Sequence, residues 1–449
     1  MRRICNGAAR GLRHNAPVAT ESISKAGWRI VLLASLGGTL EFYDFVIFGV
    51  FANDIADAIF PNPTPLISLM VSFAAFAAGY LARPIGGIVL SHFGDRFGRR
   101  QVFLLSLLVM SAATLGMGFV PSFAVWGVWA SITMVTLRLV QGFCIGGELP
   151  GALTYVVETA PAHAPFVCGV VFACVTLGVA VATGVSIGVR TFLPAAQVAE
   201  YGWRIAFILG GLAGLLSFLM RRAMAESPEF ARMKALAARH PFREVLQAHR
   251  GAVLAGIGVI AATGAFNGLF FAHMPAYLAR VLAYDPRQAV VAQTAGVVVH
   301  ALGILAVGRL ADRVAPHLLM RAGAAALVLL AYPFYVALAA KDLPLTMLLV
   351  TAGLCASLVN GTFAALLTDL FPTRIRFSGV ALAFNVAFTL FSGTSPLIAT
   401  SLVRGMGTPL APALVMIVSG LLTVTATFGL RARGGHVLMG RGSDLGPRG

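Results

Sequence analysis

Residues 91–100 read SHFGDRFGRR, and residues 308–313 read GRLADR. In both stretches an aspartate is followed at once by an arginine, and each stretch lies between two long apolar segments. A second pair of loops recurs at nearly the same spacing, because residues 158–161 read ETAP and residues 369–372 read DLFP. Two different loops that repeat at nearly one spacing indicate an internal duplication of the chain.

The composition indicates that this duplicated chain is a membrane protein. Of its 449 residues, 58% are hydrophobic and only 11% are charged, whereas soluble domains contain roughly 45–50% and about 25%. A segment of about 20 apolar residues can cross a bilayer. Twelve such spans are predicted, at residues 28–51, 66–90, 101–119, 124–148, 165–189, 201–221, 251–279, 288–309, 319–339, 344–369, 377–403 and 409–430. The sequence therefore predicts an all-α fold of twelve transmembrane helices in two halves of six.

The predicted spans divide the chain into two tails, residues 1–27 and 432–449, and two halves, residues 28–221 and 251–431, joined by a linker at 222–250. The side of the tails and the linker carries 25 of the 33 Lys and Arg residues, and the opposite side carries 6. By the positive-inside rule, both termini and the linker are predicted to be cytoplasmic. We expect a monomeric, multi-pass protein of a bacterial inner membrane.

The distribution of charges and cysteines argues against several other functions. The net charge is +16, but the basic residues are spread over short loops and form no surface interleaved with aromatic residues. Nucleic acid is therefore not a predicted partner. The five cysteines show no CxxC spacing, and the motifs HExxH and GxxxxGK[ST] do not occur. We expect no metal, no cofactor and no enzymatic activity.

The loop at 91–100 resembles the signature loop of the major facilitator superfamily, which places an aspartate and a basic cluster between the second and third helices. Residues 40–45 (LEFYDF), 83–87 (RPIGG) and 138–148 (RLVQGFCIGGE) are similar to the metabolite:proton symporter family within it. That family includes carriers for citrate, tricarballylate, α-ketoglutarate, shikimate and proline/betaine. Two departures stand out: Ser91 replaces the usual glycine, and residues 161–165 (PAHAP) lack the basic residues usual after span 4.

Ionisable residues inside spans are the candidates for proton coupling, because a charge within a bilayer usually has a partner or lines a wet cavity. Glu41 and Asp44 share one face of span 1, and Asp44 lies about 24 Å from its cytoplasmic end. Arg138 of span 4 lies at a comparable depth, so its planar fork can hold Asp44 or an anionic substrate. Asp44 is the predicted coupling acid, with Glu41 and Glu148 as further candidates.

The predicted substrate-binding residues are Arg138, Gln141, Tyr43, Arg83, Asn267 and Asn360. Arg83 can either bind an anion or brace the helix break at Pro84. The second half supplies neutral polar groups, so charge and coupling are predicted to reside in the first half. For each lone Asn an interhelical hydrogen bond remains the alternative. Four glycines at small-xxx-small spacing predict close helix contacts, namely Gly142 and Gly146 in span 4 and Gly184 and Gly188 in span 5.

The superfamily resemblance implies a gate of loop charges that pair when the cytoplasmic side is closed. Its predicted members are Asp95, Arg96, Arg99, Arg100, Glu158, Asp312, Arg313, Asp369 and Arg374. Simple positive-inside anchors are the alternative for the basic members.

The predicted function is proton-coupled, secondary active import of a small organic acid by alternating access, with a citrate-like di- or tricarboxylate as substrate. The lipid bilayer and protons are the other predicted partners. Two alternatives remain: a proline/betaine-type osmolyte:proton symporter, or a proton antiporter that exports drugs or metabolites. Osmosensing members of the resembled family carry a carboxyl-terminal coiled coil, which residues 432–449 do not resemble. Drug antiporters carry a GxxxGPxxGG motif in span 5, whereas residues 166–190 contain no proline.

Overall fold

A computed structural model of the chain describes residues 25–97, 99–222 and 241–430. Every regular element in these residues is helical. The first half consists of Lys25–Val50 (span 1), Ala52–Ile59, Pro65–Phe97 (span 2), Arg99–Phe119 (span 3), Phe123–Trp126, Val128–Ile145 and Glu148–Thr159 (span 4), Pro161–His163, Ala164–Phe192 (span 5), Ala195–Gln197, the π-helical Val198–Gly202, and Trp203–Arg222 (span 6).

A linker helix precedes the second half, and two spans of that half contain a π-helical turn. It consists of Pro241–Ala248 (linker helix), Arg250–Asn267, π-helical Gly268–His273 and Met274–Arg280 (span 7), Pro286–Ala311 (span 8), Pro316–Ala340 (span 9), Leu345–Asn360 and Phe363–Asp369 (span 10), Arg376–Ala387, π-helical Phe388–Gly393 and Ser395–Met406 (span 11), and Pro412–Phe428 (span 12). The end of the bundle that carries Pro241–Ala248 is called the linker end below.

Nine helices in the described part of the chain are long and apolar enough to cross a membrane. Two shorter apolar helices, Leu104–Phe119 and Pro412–Phe428, lie on the predicted spans 3 and 12. Lys25–Val50 lies on the predicted span 1. The helices therefore follow the predicted spans in number and order, and the predicted all-α membrane fold is confirmed.

Glycines allow spans 2 and 4 to pack backbone against backbone. A Cβ atom added at Gly142 or Gly146 would overlap the main chain of span 2, so the predicted close contacts at these two positions are confirmed. The prediction for span 5 is wrong, because no other helix of the described residues has an atom within 4 Å of a Cβ placed at Gly184 or Gly188. The spacing of small residues shows where another helix could pack closely, but it does not show that a helix packs there.

Pro84 interrupts the hydrogen bonding of span 2 at its contact with span 11. Proline has no N–H, so the carbonyl of Tyr80, four residues earlier, has no donor within its own helix. Thr389 of span 11 supplies one, since its Oγ1 donates to this carbonyl at 2.7 Å. The hydroxyl of Tyr80 also lies 3.1 Å from the Oγ of Ser392. A side chain of the second half thus supplies the hydrogen bond that the backbone of the first half lacks.

Pro150 creates the same defect in span 4. It leaves the carbonyl of Gly146 without a helical donor, and Asn385 Nδ2 donates to that carbonyl at 2.6 Å. Asn385, Thr389 and Ser392 are three or four residues apart and form one stripe along span 11, called the span 11 stripe below. This stripe joins the two halves in the middle of the bundle.

Removing one member of the stripe should shift the equilibrium between closed and open halves. In Thr389→Val the Tyr80 carbonyl loses its donor while the halves are closed, and a buried unsatisfied carbonyl costs about 1–3 kcal/mol. We expect the open population to rise by roughly fivefold or more. Spin labels at Phe192→Cys and Leu343→Cys, one exposed site in each half, report the separation. Thr400→Val is the matched control, because the Thr400 hydroxyl bonds within its own helix. Equal distance distributions in both variants would refute the assignment.

Candidate substrate and coupling site

Asp44 is buried in span 1 with few polar neighbours. The Oγ1 of Thr114 in span 3 lies 3.5 Å from Asp44 Oδ2, which makes a long hydrogen bond. In the described residues, no basic side chain lies within ion-pair distance of Asp44. Gly210 of span 6 leaves room for the carboxylate, because a Cβ there would lie 2.5 Å from Asp44 Oδ1. The carboxyl group can therefore exchange a proton without breaking an ion pair.

Arg138 is fully buried in span 4 and is linked to Asp44 through neutral side chains. Its Nη1 donates to Gln141 Oε1 at 2.6 Å. Gln141 Nε2 in turn donates to Thr114 Oγ1 at 2.9 Å, and it lies 3.4 Å from the Asp44 carbonyl oxygen. The sequence predicts that Arg138 can hold Asp44 directly, but this structure places Gln141 between them. The structure thus brings together three of the predicted residues, and Thr114 is the member that sequence reasoning missed.

The ring of Phe45 lies between two buried guanidinium groups. The Cζ atoms of Arg83 and Arg138 are each 4.2 Å from its centroid, and Tyr80 and Phe48 lie beside them at 4.3 and 4.4 Å. A desolvated cation–π contact contributes about 2 kcal/mol, which is less than the several kcal/mol that burial of each charge costs. Within the described part of the chain, Nε and Nη2 of both arginines have no hydrogen-bond partner. These four buried nitrogens are hydrogen-bond donors that an anionic group can satisfy.

The other predicted residues of the first half differ in their surroundings. The hydroxyl of Tyr43 donates to the Ala206 carbonyl at 2.9 Å, which braces span 1 against span 6. Glu41 is buried one turn before Asp44 on span 1. Glu148 is partly buried and begins the helix Glu148–Thr159. The substrate role of Tyr43 and the coupling roles of the two glutamates remain predictions.

In the second half, the predicted residues Asn267 and Asn360 are in contact. Asn360 Nδ2 lies 3.3 Å from Asn267 Oδ1 and 2.9 Å from His300 Nε2. His300 Nδ1 lies 2.7 Å from the Gly353 carbonyl oxygen. All three side chains are buried. Spans 7, 8 and 10 thus converge on one hydrogen-bonded cluster, called the Asn–His cluster below.

At the linker end, two predicted gate acids reach across the halves. Glu158 Oε1 lies 3.1 Å from Arg376 Nη1, and Asp312 Oδ2 lies 3.3 Å from His163 Nδ1. His163 thereby occupies the place of the basic residues that residues 161–165 lack. The sequence predicts that Arg374 pairs across the halves in the gate. Arg374 instead pairs with Glu244 of the adjacent linker helix. Glu244 lies in the amphipathic helix Pro241–Ala248. The sequence pattern does not indicate that this helix contacts the loop that contains Arg374.

For two of the remaining predicted gate residues, Arg313 and Asp369, the structure gives the position and the exposure. Arg313 is exposed, and Asp369 is partly buried at the end of the helix Phe363–Asp369. The side chains of Asp95, Arg96, Arg99 and Arg100 lie outside the described residues.

A second set of ion pairs lies at the opposite end of the bundle. Arg280 Nη2 lies 2.5 Å from Asp57 Oδ2 across the halves, and Arg190 Nη2 lies 2.6 Å from Asp54 Oδ2. They border a cavity of about 240 Å³, also lined by Asn53. Sequence reasoning treated these arginines only as markers of topology, since their acidic partners lie in a short helix after span 1. Arg280–Asp57 therefore links the two halves at this end, whereas Arg190–Asp54 lies within the first half.

The described residues thus form a membrane bundle in two halves, with buried charges between its helices, two ion pairs between the halves at the linker end and one at the opposite end. The profile of the Major Facilitator Superfamily matches residues 34–396. The chain belongs to the Major Facilitator Superfamily. The predicted superfamily is thus confirmed, and the chain is a multi-pass membrane protein of a transporter family.

Several relatives within this superfamily carry more specific names. The chain is 30% identical over 411 residues to a putative proline/betaine transporter of Staphylococcus aureus (strain COL), covering 90% of this chain and 88% of that protein. It is 29% identical over 416 residues to a proline/betaine transporter of Salmonella typhimurium, covering 88% and 82%. The xylose transporter XylE from E. coli, in a partially occluded inward-open conformation, has a TM-score of 0.71 at 17% identity, covering 91% and 98%. This last likeness concerns the fold alone.

Proposed function

We propose that the protein is a proton-coupled importer of a small zwitterionic carboxylate of the proline or betaine type, working by alternating access. The observation that carries this proposal is the balance of buried charge. The Asp, Glu, Lys and Arg side chains buried in the described residues are Glu41, Asp44, Arg83 and Arg138. Two carboxylates and two guanidinium groups sum to zero, so a net-neutral substrate preserves the balance.

An uncompensated charge in such a site costs several kcal/mol, so the net charge of the substrate affects binding strongly. A zwitterion brings one carboxylate for the unpaired guanidinium nitrogens and one ammonium group that cancels it. A tricarboxylate brings up to three negative charges, more than the protonation of Glu41 and Asp44 can offset. The names of the relatives, which are 28–30% identical to this chain, also support a proline/betaine-type substrate.

The coupling step is proposed to link Asp44 to Arg138 through Gln141. An ionised Asp44 attracts Arg138 across a site of low dielectric constant, and protonation removes this attraction. The Nε and Nη2 donors of Arg138 can then hold the substrate carboxylate as a planar fork. Glu41 and Glu148 are the alternative coupling acids.

A small organic acid is the second candidate substrate. The four unpaired guanidinium nitrogens of Arg83 and Arg138 favour it, since two forks can hold two carboxylates. The charge balance disfavours a tricarboxylate, and the names of the relatives favour the zwitterion, so the citrate-like substrate takes second place.

Counterflow in proteoliposomes tests this proposal. Vesicles loaded with unlabelled substrate should accumulate labelled proline or glycine betaine, and citrate or α-ketoglutarate in large excess should not compete. An imposed inward proton gradient should drive uphill uptake of the same zwitterions. Uptake of citrate with no uptake of either zwitterion would establish the second candidate in place of the first.

We propose further that the protein lies in the bacterial inner membrane as a monomer, with both termini and the linker in the cytoplasm. The support is the excess of basic residues on that side. In a variant without native cysteines, Ala235→Cys should resist a membrane-impermeant thiol reagent added to intact cells. Arg287→Cys, exposed at the opposite end, should react with it. Equal labelling of both sites would contradict this orientation.

A further inference from the structure

In the Asn–His cluster the direction of every hydrogen bond can be worked out. The Gly353 carbonyl can only accept, so His300 Nδ1 must carry a hydrogen. In the described residues, no carboxylate contacts His300, and a buried cationic ring without a counter-ion is costly. The ring is therefore neutral, and its Nε2 must accept.

The state of His300 determines how both asparagine side chains are turned. Because His300 Nε2 accepts, Asn360 must present its NH₂ group to it. The same NH₂ group faces Asn267, so Asn267 must present its carbonyl oxygen. Neither amide can be flipped without placing two donors or two acceptors against each other.

These assignments leave one acceptor and one donor unused. Asn360 Oδ1 and Asn267 Nδ2 are buried, and the protein supplies no partner for either in the described residues. A buried amide group without a hydrogen bond costs about 1–3 kcal/mol. Two such groups on touching side chains indicate a ligand that satisfies both.

The backbone around these two residues is irregular, as it is at the substrate sites of many transporters. Asn267 immediately precedes the π-helical Gly268–His273, and Asn360 is the last residue before the break in span 10. Phe363, just beyond that break, contacts Phe172 of span 5, with ring centroids 4.7 Å apart. The cluster therefore lies close to the interface between the halves, where an alternating-access substrate must bind.

We propose that Asn267 and Asn360 form a subsite that reads the amino group of the substrate. Asn360 Oδ1 accepts a hydrogen bond from the ammonium N–H, and Asn267 Nδ2 donates to a carboxylate oxygen of the same molecule. An amino or imino acid presents this donor and acceptor on neighbouring carbon atoms. This inference rests on the proposed zwitterionic substrate and deepens it: the transporter favours zwitterions that keep an N–H over fully N-methylated ones.

A methylation series of one substrate tests the subsite. L-proline carries two N–H bonds, N-methyl-L-proline carries one, and N,N-dimethyl-L-proline carries none. Inhibition constants for the three are measured against whichever labelled zwitterion the proteoliposomes transport. We expect the first two to bind within a few-fold of each other, and the third to bind about tenfold or more weakly. A steric effect would instead weaken binding at each methylation.

Two variants separate the roles of the two asparagines. Asn360→Leu removes the free acceptor, so the step between N-methyl- and N,N-dimethylproline should vanish. Asn267→Leu removes the free donor, so all three compounds should weaken together and the step should persist. Thr362→Val is the matched control, since the buried Thr362 hydroxyl bonds to the Leu358 carbonyl of its own span and not to either asparagine. The wild-type series remains informative even if one variant does not fold.

The outcomes distinguish the subsite from the function on which it rests. If wild-type protein binds all three compounds equally, the subsite assignment is wrong and the zwitterion proposal stands. If wild-type protein binds none of them and transports no zwitterion, the proposed function fails, and the subsite fails with it. If the step is present and survives Asn360→Leu, the amino group is read elsewhere.

Discussion

Arg138→Lys should lower kcat/KM for uptake by about a hundredfold while the protein remains folded and inserted. Lysine keeps the positive charge but loses the two coplanar donors, Nε and Nη2, that lie unpaired in the site. It also loses the flat face that stacks between Phe45 and Phe48. The loss should appear mainly in substrate affinity, measured by equilibrium binding as well as by uptake.

The matched control for this change is Arg404→Lys, at an exposed position in span 11. We expect it to transport as the wild-type protein does. Arg83→Lys tells whether the second guanidinium binds substrate or only braces Pro84, since a brace would change thermal stability without changing affinity. If Arg138→Lys binds substrate normally, the carboxylate of the substrate lies elsewhere and the proposed site is wrong.

Asp44→Asn should separate exchange from accumulation. Asparagine imitates the protonated carboxyl group, so substrate exchange across proteoliposomes should continue at a reduced rate. Uphill uptake driven by a pH gradient should fall at least about tenfold, because no proton can be taken up or released at this position. The comparison of counterflow with gradient-driven uptake in one preparation measures both effects.

Glu41→Gln is the matched control for Asp44→Asn, because it neutralises a second buried carboxylate one turn earlier on the same helix. If Glu41→Gln abolishes accumulation while Asp44→Asn retains it, Glu41 is the coupling acid. If both variants still accumulate substrate, the role moves to Glu148.

The sequence predicts the helices well and the site in part. Apolar length and charge asymmetry predict the spans, because each depends on the local contact between helix and bilayer. Depth along a helix places Asp44 and Arg138 at matching levels. It cannot show that Gln141 stands between them, because the rotation of each helix about its axis depends on packing against its neighbours.

Contacts between the halves are the features that sequence reasoning misses. Thr389 and Asn385 look like ordinary polar residues in an apolar span, and their roles depend on prolines more than two hundred residues away. The pairing of His163 with Asp312 likewise joins two loops from different halves. A repeat analysis finds the loops themselves but not their partners, since the partners differ between the two copies.

Pro84 and Pro150 each leave one backbone carbonyl of the first half without a helical donor, and side chains of the second half donate to both carbonyls. Whenever span 11 draws away, the carbonyls of Tyr80 and Gly146 need new donors, and water is the donor that a widening cleft can bring. We therefore expect opening of the halves to be a wetting step as well, in which water enters the cleft to the level of these two carbonyls. We expect the closed form to be the dry form, so the conformational equilibrium should depend on the activity of water as well as on that of the proton.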